Sequence, residues 1–124
     1  MWKLDAGGRV TQWRAFRKEL DAQSLDQALE SIANFWQGCP FIPYNLDPDL
    51  PETWPDPWSL IYENAYCDVA KCLGIVYTLL LSAHGDNIDI EIRTYRDQIT
   101  GHSYNLAWID RGKYILNMID NTVV

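Results

Sequence analysis

"CDVAKCLGIVYTLLLSAHGDNIDIEIRTY", residues 67–95, changes its hydrophobic period partway along. From Cys67 to Leu81 the apolar residues fall on every side of a helical wheel: Cys67, Val69, Ala70, Cys72, Leu73, Ile75, Val76, Leu79, Leu80 and Leu81. A helix with no polar face is a buried one. In a small domain such a helix packs against a sheet on one side and other helices on the other. After Gly85 the period becomes two, with Ile88, Ile90 and Ile92 alternating with Asp89, Glu91 and Arg93, the pattern of a half-buried strand. Between them, His84 reads as a last-turn cation and Gly85 as the helix C-cap.

Downstream, "HSYNLAWI" from His102 and "KYILNMI" from Lys113 are two further strands, joined through "DRGK" into an antiparallel meander. Upstream, Asp56-Pro57 supplies a cap followed by proline at the first helical position. The helix it starts breaks at Asn64-Ala65, ahead of the apolar run. "SLDQALESIANFWQG", from Ser24, predicts a helix with a Ser24–Gln27 capping box, an apolar stripe through Leu25, Ala28, Leu29, Ile32 and Trp36, and Gly38 as its stop. "TQWRAFRKEL" places Trp13, Phe16 and Leu20 at helical spacing. Between these helices and Trp58 lies "CPFIPYNLDPDLPETWPDPW", which holds all six prolines. Proline removes backbone donors and turns its predecessor away from helix, so this segment is extended. Phe41, Ile42, Tyr44, Leu46, Leu50, Trp54 and Trp58 predict a strap pinned to the body, Trp54 at least half buried, either as a packed connector or as one wall of a groove. The expected fold class is α+β in one domain over residues 1–124: N-terminal helices and a buried central helix packed on an antiparallel sheet of at least three strands.

Composition narrows the function. The 124 residues carry 17 acids against 10 bases, a net charge of −7. A phosphate-binding face needs clustered Lys and Arg, so nucleic acid and anionic membrane are disfavoured as partners. No apolar run approaches the roughly 18 residues of a membrane span, and no signal-peptide pattern opens the chain, which points to the cytoplasm. Three cysteines without CxxC spacing and two histidines argue against a disulfide framework, a structural metal and a metal cofactor. No cofactor is expected.

The chemistry concentrates at Cys67. At the head of the central helix, the partial positive charge of the N-terminus lowers a thiol pKa, and the thiolate is the nucleophile. Asp68 directly after it opposes thiolate formation, but at the start of the helix it is expected to face solvent and be screened. A nucleophilic cysteine needs a base, and His102 is the strand-borne histidine. The base in turn needs an orienting acceptor, which Asn117 supplies if the strands pair suitably. With the turn centred on Arg111-Gly112, His102 lies opposite Asn121 and Leu106 opposite Asn117, so His102, Asn117 and Asn121 share a face. A one-residue slip or a bulge would bring Asp120 there instead. Which of the three orients His102 stays open.

Cys67 at a buried helix head, then sheet, then "HSYN" from His102, "IDRGKY" from Ile109 and Asn117 resemble the transglutaminase-like/papain-like cysteine hydrolase superfamily, over residues 58–121. The resemblance implies Cys67 as nucleophile, His102 as general base and Asn117 as third member. That last place is usually aspartate in the family and asparagine in its papain-like branch. Tyr66 stands where many members have a small residue. Trp58 and Asn64 are the candidates for the upstream oxyanion donor, and a peptide or protein amide is the implied substrate. "WPDPW…YC…LGIVYTLLLS" is separately similar to short proteins from phages of marine cyanobacteria, which implies host cytoplasm as the compartment and a virion or host protein as an alternative partner.

Two functions from different classes follow. One is a thiol hydrolase of amide or peptide bonds. The other is a non-catalytic phage structural or interaction protein retaining the same fold, for which abundant tryptophan and tyrosine suit an interface. Each site residue has a bland alternative: a cysteine on an apolar helix is a small buried hydrophobe, and a histidine at a strand start hydrogen-bonds a loop. For Cys39, Cys72 and His84 the structural role is the expected one.

Overall fold

A computed structural model describes residues 1–117, which form four α-helices and a three-stranded antiparallel sheet, an α+β arrangement. The helices are α1 (Ala6–Leu20), α2 (Leu25–Gln37), α3 (Pro57–Glu63) and α4 (Asp68–Leu80); the strands are β1 (Ile90–Arg96), β2 (Ser103–Ile109) and β3 (Tyr114–Leu116). Local chemistry sets most of the boundaries. The Ser24–Gln27 capping box opens α2, and Asp56 accepts from Ser59 N at the start of α3, with Pro57 in the first turn. Asn64 ends α3 in the left-handed conformation (φ 53°), which asparagine tolerates better than most residues. α1 begins five residues before the Thr11 start that the apolar spacing suggested. Asp5 caps it by accepting from Gly8 N (2.7 Å), and the intervening glycines carry no side chains to mark a helical face.

α4 is the centre of the molecule. β2 packs on one side of it, and α2 and α3 on the other. Its residues from Val69 to Val76, Lys71 excepted, are buried, as are Thr78 and Leu79, while Leu80 and Leu81 emerge at its end. Two indoles converge on a single hydroxyl in this core: Trp13 and Trp36 both donate to Thr78 Oγ1 (3.0 and 2.9 Å), which itself donates to Gly74 O (2.6 Å). Trp36 lies flat against Gly74, where a Cβ would come within 2.3 Å of the ring. Around it Trp2, Phe35 and Tyr66 add tilted and edge-on ring contacts. On the far side of α1, Arg9 donates to the carbonyls of Ile61 and Tyr62 (3.0 and 2.8 Å) and so ties α1 to the end of α3.

The strands pair in the expected order, and the β2–β3 register is the one that a turn centred on Arg111-Gly112 gives. β1 and β2 pair from Ile90–Ile109 to Arg96–Ser103, and Ile109 faces Tyr114 across the "DRGK" turn. Asp110, Arg111 and Gly112 all have positive φ there. The inner face presents Asn105, Ala107, Ile109 and Leu116, all buried. Sequence reading also differs from the fold at the end of α4. α4 stops at Leu80, because Ser82 donates to Leu79 O (2.7 Å) and opens a short 3-10 turn over Ala83–Gly85. Leu81, not Gly85, is therefore the C-cap, and His84 donates from Nε2 to Leu20 O (2.8 Å), closing the end of α1 instead. β3 ends at Leu116, and the rest of the expected strand, from Met118, lies outside the described residues.

The proline-rich segment is a strap laid over the N-terminus of α4. Its start pairs in parallel with Tyr66, through Ile42 N to Tyr66 O (3.1 Å) and Tyr66 N to Pro40 O (3.2 Å). Trp54 is mostly buried and donates to Asp47 O (2.8 Å), and Tyr77 on α4 donates to Pro55 O (2.7 Å). Phe41 and Tyr44 stay 67% exposed.

Candidate functional site

The site is built from the start of α4 outward. Beyond the left-handed Asn64 the chain extends through Tyr66, and Cys67 is the N-cap of α4 with extended backbone (φ −78°, ψ −178°). Its side chain makes no capping bond. The N–H groups of Asp68, Val69 and Ala70 therefore have no partner within the helix and point out of its end. The Cys67 N–H is taken: it donates to Asn45 Oδ1 (3.1 Å), while Asn45 Nδ2 donates to Ala65 O (3.0 Å). One strap side chain thus grips the chain at Cys67 and two residues before it.

The opposite wall is the tip of the β1–β2 hairpin. Asp68 joins it to α4. Its Oδ2 accepts from Asn105 N (2.7 Å) and Nδ2 (3.0 Å), and its Oδ1 from Asn117 Nδ2 (3.3 Å). Asn105 Oδ1 accepts from Thr94 (2.8 Å), and Asn117 Nδ2 also donates to Asn105 O (2.7 Å). The expectation that Asp68 faces solvent is thus corrected: its carboxylate is spent on holding β2 against the helix. At the tip, Asp97 Oδ1 accepts from Ile99 N (2.7 Å) and Thr100 N (3.2 Å), bonds that hold its carboxyl below the usual carboxylate range, with the nearby His102 adding to the shift. Asp97 N donates to His102 O (2.8 Å), which fixes the backbone at His102. The His102 ring is exposed and tilted on Tyr104, centroids 5.2 Å apart.

Between strap and hairpin tip lies a cavity of about 450 Å³. Cys67, Asp68 and Val69 form its floor, Phe41 to Asp49 of the strap one wall, and Arg96, His102, Ser103 and Asn105 the other. Arg96 Nη2 and Asp49 Oδ2 face each other across it at 3.8 Å. Cys67 is 3% exposed. Neither of the other thiols lines the cavity. Burial pushes Cys39 up to about 11, and it pushes the fully buried Cys72 further up, with Asp68 adding to it.

Cys67 and His102 are thus brought to one cavity, although no hydrogen bond joins them among the described residues. Asn117 is not brought to His102. It leaves the strand with a left-handed backbone (φ 70°), and its amide lies on Asn105 and Asp68. Asp120 and Asn121 lie outside the described residues. The two oxyanion candidates stand away from the cavity: Trp58 packs edge-on against Trp13, and Asn64 donates to Trp2 O (3.0 Å). Tyr66 occupies its position by burying its ring against Trp2 and Trp36, so its bulk points into the core and leaves the cavity free. Asn45 and Asn105 are the side chains that sequence reading missed. Asn45 did carry a signal, as an amide within an otherwise proline- and aromatic-rich strap.

Among the described residues no three His, Cys, Asp or Glu side chains converge as metal ligands, and no helix is long and apolar enough to cross a membrane. No protein-family model, curated protein or solved structure matches the chain.

Proposed function

We propose that the cavity is the active site of a cysteine hydrolase of amide or peptide bonds, of the transglutaminase-like/papain-like kind. The observation that carries this is the sharing of one cavity by a helix-capping Cys67 and by His102. The reaction requires His102 to turn off Tyr104 and bring its imidazole beside the sulfur within the cavity that both line. Cys67 then gives its proton to His102 and attacks the carbonyl carbon, forming a tetrahedral oxyanion. Because Asn45 holds the Cys67 N–H, the first-turn N–H groups of α4, which have no partner within the helix, receive that oxyanion. His102 returns the proton to the leaving amine, and the thioester remains. Water, deprotonated by His102, attacks the thioester, releases the carboxylic acid and restores the thiol. Asn117 and Asn105 act at one remove, as positioning residues that clamp Asp68 and keep the hairpin wall in place. The protein would work in the cytoplasm, that of the host if a phage carries it.

The test is hydrolysis of a library of peptidyl aminomethylcoumarins. Release of fluorophore that is lost in Cys67→Ala and falls at least a hundredfold in His102→Ala supports the proposal, since a general base contributes about that much or more. Turnover unchanged by both substitutions refutes it. One observation favours the non-catalytic reading, a binding protein on the same scaffold: Asn45 occupies the backbone donor next to the thiol, while Phe41 and Tyr44 stand exposed at the mouth. On that reading the library is inert, and Phe41→Ala weakens capture of a virion or host protein.

A further inference from the structure

The cavity is unevenly charged. Its lining holds three carboxylates, Asp47, Asp49 and Asp68, against one guanidinium, Arg96, and the His102 imidazole. The Asp68 charge is hydrogen-bonded to the asparagines of the hairpin and faces the α4 terminus. Asp47 and Asp49 belong to the strap, and among the described lining residues Arg96 is the guanidinium that opposes them, from an ion pair with Asp49 in which both side chains are more than 60% exposed (63% and 70%). Beside these carboxylates stand Phe41 and Tyr44, each 67% exposed and both lining the cavity. Aromatic faces next to carboxylates favour a cation. The ring quadrupole attracts the charge, the apolar face takes the alkyl stem, and the carboxylate neutralises what is left.

We propose that the cavity binds an extended peptide by a lysine or arginine side chain, with the cationic head at Asp47 and Asp49 and its stem across Phe41 and Tyr44. This rests on reading the cleft as the place where a peptide is held, and it adds the specificity of that site. The peptide main chain lies toward the α4 N-terminus, where first-turn N–H groups that have no partner within the helix donate to its carbonyl. A volume of about 450 Å³ is within the range of ligand sites and takes a few residues. Arg96 gives way because its pairing with Asp49 is long and solvent-exposed, and such pairs are weak. An arriving cation takes its place on the carboxylate.

The probes are three blocked, fluorescein-labelled hexapeptides, identical except for a central lysine, norleucine or glutamate. Anisotropy titrations use the Cys67→Ala protein, which cannot turn them over. The lysine peptide is expected to bind about tenfold more tightly than the norleucine peptide, the size that one cation–π contact and one screened ion pair add up to. The glutamate peptide binds more weakly than either. Raising the salt narrows the gap, and the double substitution Asp47→Asn with Asp49→Asn cuts it to about two- to fivefold, since the ion-pair part of the attraction is removed and the cation–π part remains. Asparagine keeps the Oδ1 acceptor that Asp47 offers to Asp49 N, so the strap turn is retained. Should that variant not fold, Phe41→Ala, which removes an exposed ring, is expected to lower the lysine preference by itself. Equal binding of the three peptides, no binding by any of them, or a preference untouched by all these substitutions overturns the proposal. Its failure is separable from that of the hydrolase: a lysine preference with a Cys67 indifferent to His102 removes only the chemistry, and a His102-dependent thiol without charge preference removes only this specificity.

Discussion

Thr78 and Gly74, one helical turn apart on α4, decide how the tryptophans sit. Nothing in the apolar run foretells this, because sequence spacing marks Thr78 merely as a small residue among large ones. In the fold its hydroxyl satisfies two buried indole N–H groups. Thr78→Val keeps the shape and strands both donors, so it should cost about 2–5 kcal/mol, measured by urea unfolding, while Thr78→Ser should lose much less. Gly74 makes the opposite case. Alanine is the better helix former by about 1 kcal/mol, and on propensity alone Gly74→Ala would stabilise. Its Cβ would meet the Trp36 ring at 2.3 Å, and Trp36 is fully buried with its indole bonded, so the ring cannot yield. A net loss of about 1–3 kcal/mol and a melting temperature several degrees lower are expected. A rise in melting temperature would show that the packing of α2 on α4 is misassigned.

Elements differ in how plainly the sequence announces them. α2 declares both period and cap, and it stands where the pattern places it. α1 hides its first turn behind two glycines, and the end of α4 is moved by Ser82, whose hydroxyl bonds backbone that helix would otherwise use. The strap is legible as extended and aromatic, but its attachment depends on Asn45, a long-range contact that no local pattern encodes. Two hydrogen bonds from that side chain hold the middle of the strap to Ala65 and Cys67. Asn45→Ala should therefore loosen residues 39–56 while α4 and the sheet stay folded. Limited chymotrypsin digestion should cut at Phe41 or Tyr44 several times faster than in the wild type, because a local opening that loses about 1–2 kcal/mol is populated correspondingly more. Equal cutting rates would mean that Trp54 and Tyr77 hold the strap without it.

At the scale of the whole molecule, the α+β class, the central helix and the order of the meander were legible, because hydrophobic period and turn chemistry determine them. The register stayed open to a one-residue slip until the turn over Asp110, Arg111 and Gly112 fixed it. The candidate site was legible in part. Cys67 and His102 reach the same cavity because the register carries His102 to the hairpin tip. Asn117 goes elsewhere because its positive φ takes it out of the strand before it can follow that register. The central claim is that this shared cavity makes Cys67 the reactive thiol. Its most direct test is the rate of iodoacetamide labelling at about pH 6.5, read for each cysteine by peptide mass spectrometry. At that pH Cys39, pushed up to about 11, is ionised in less than about one molecule in ten thousand, and Cys72 in fewer still. Cys67 is predicted to be modified well ahead of both, and His102→Ala to slow its labelling about tenfold. Labelling of all three cysteines only after denaturation, or a Cys67 rate unchanged by His102→Ala, would contradict the account.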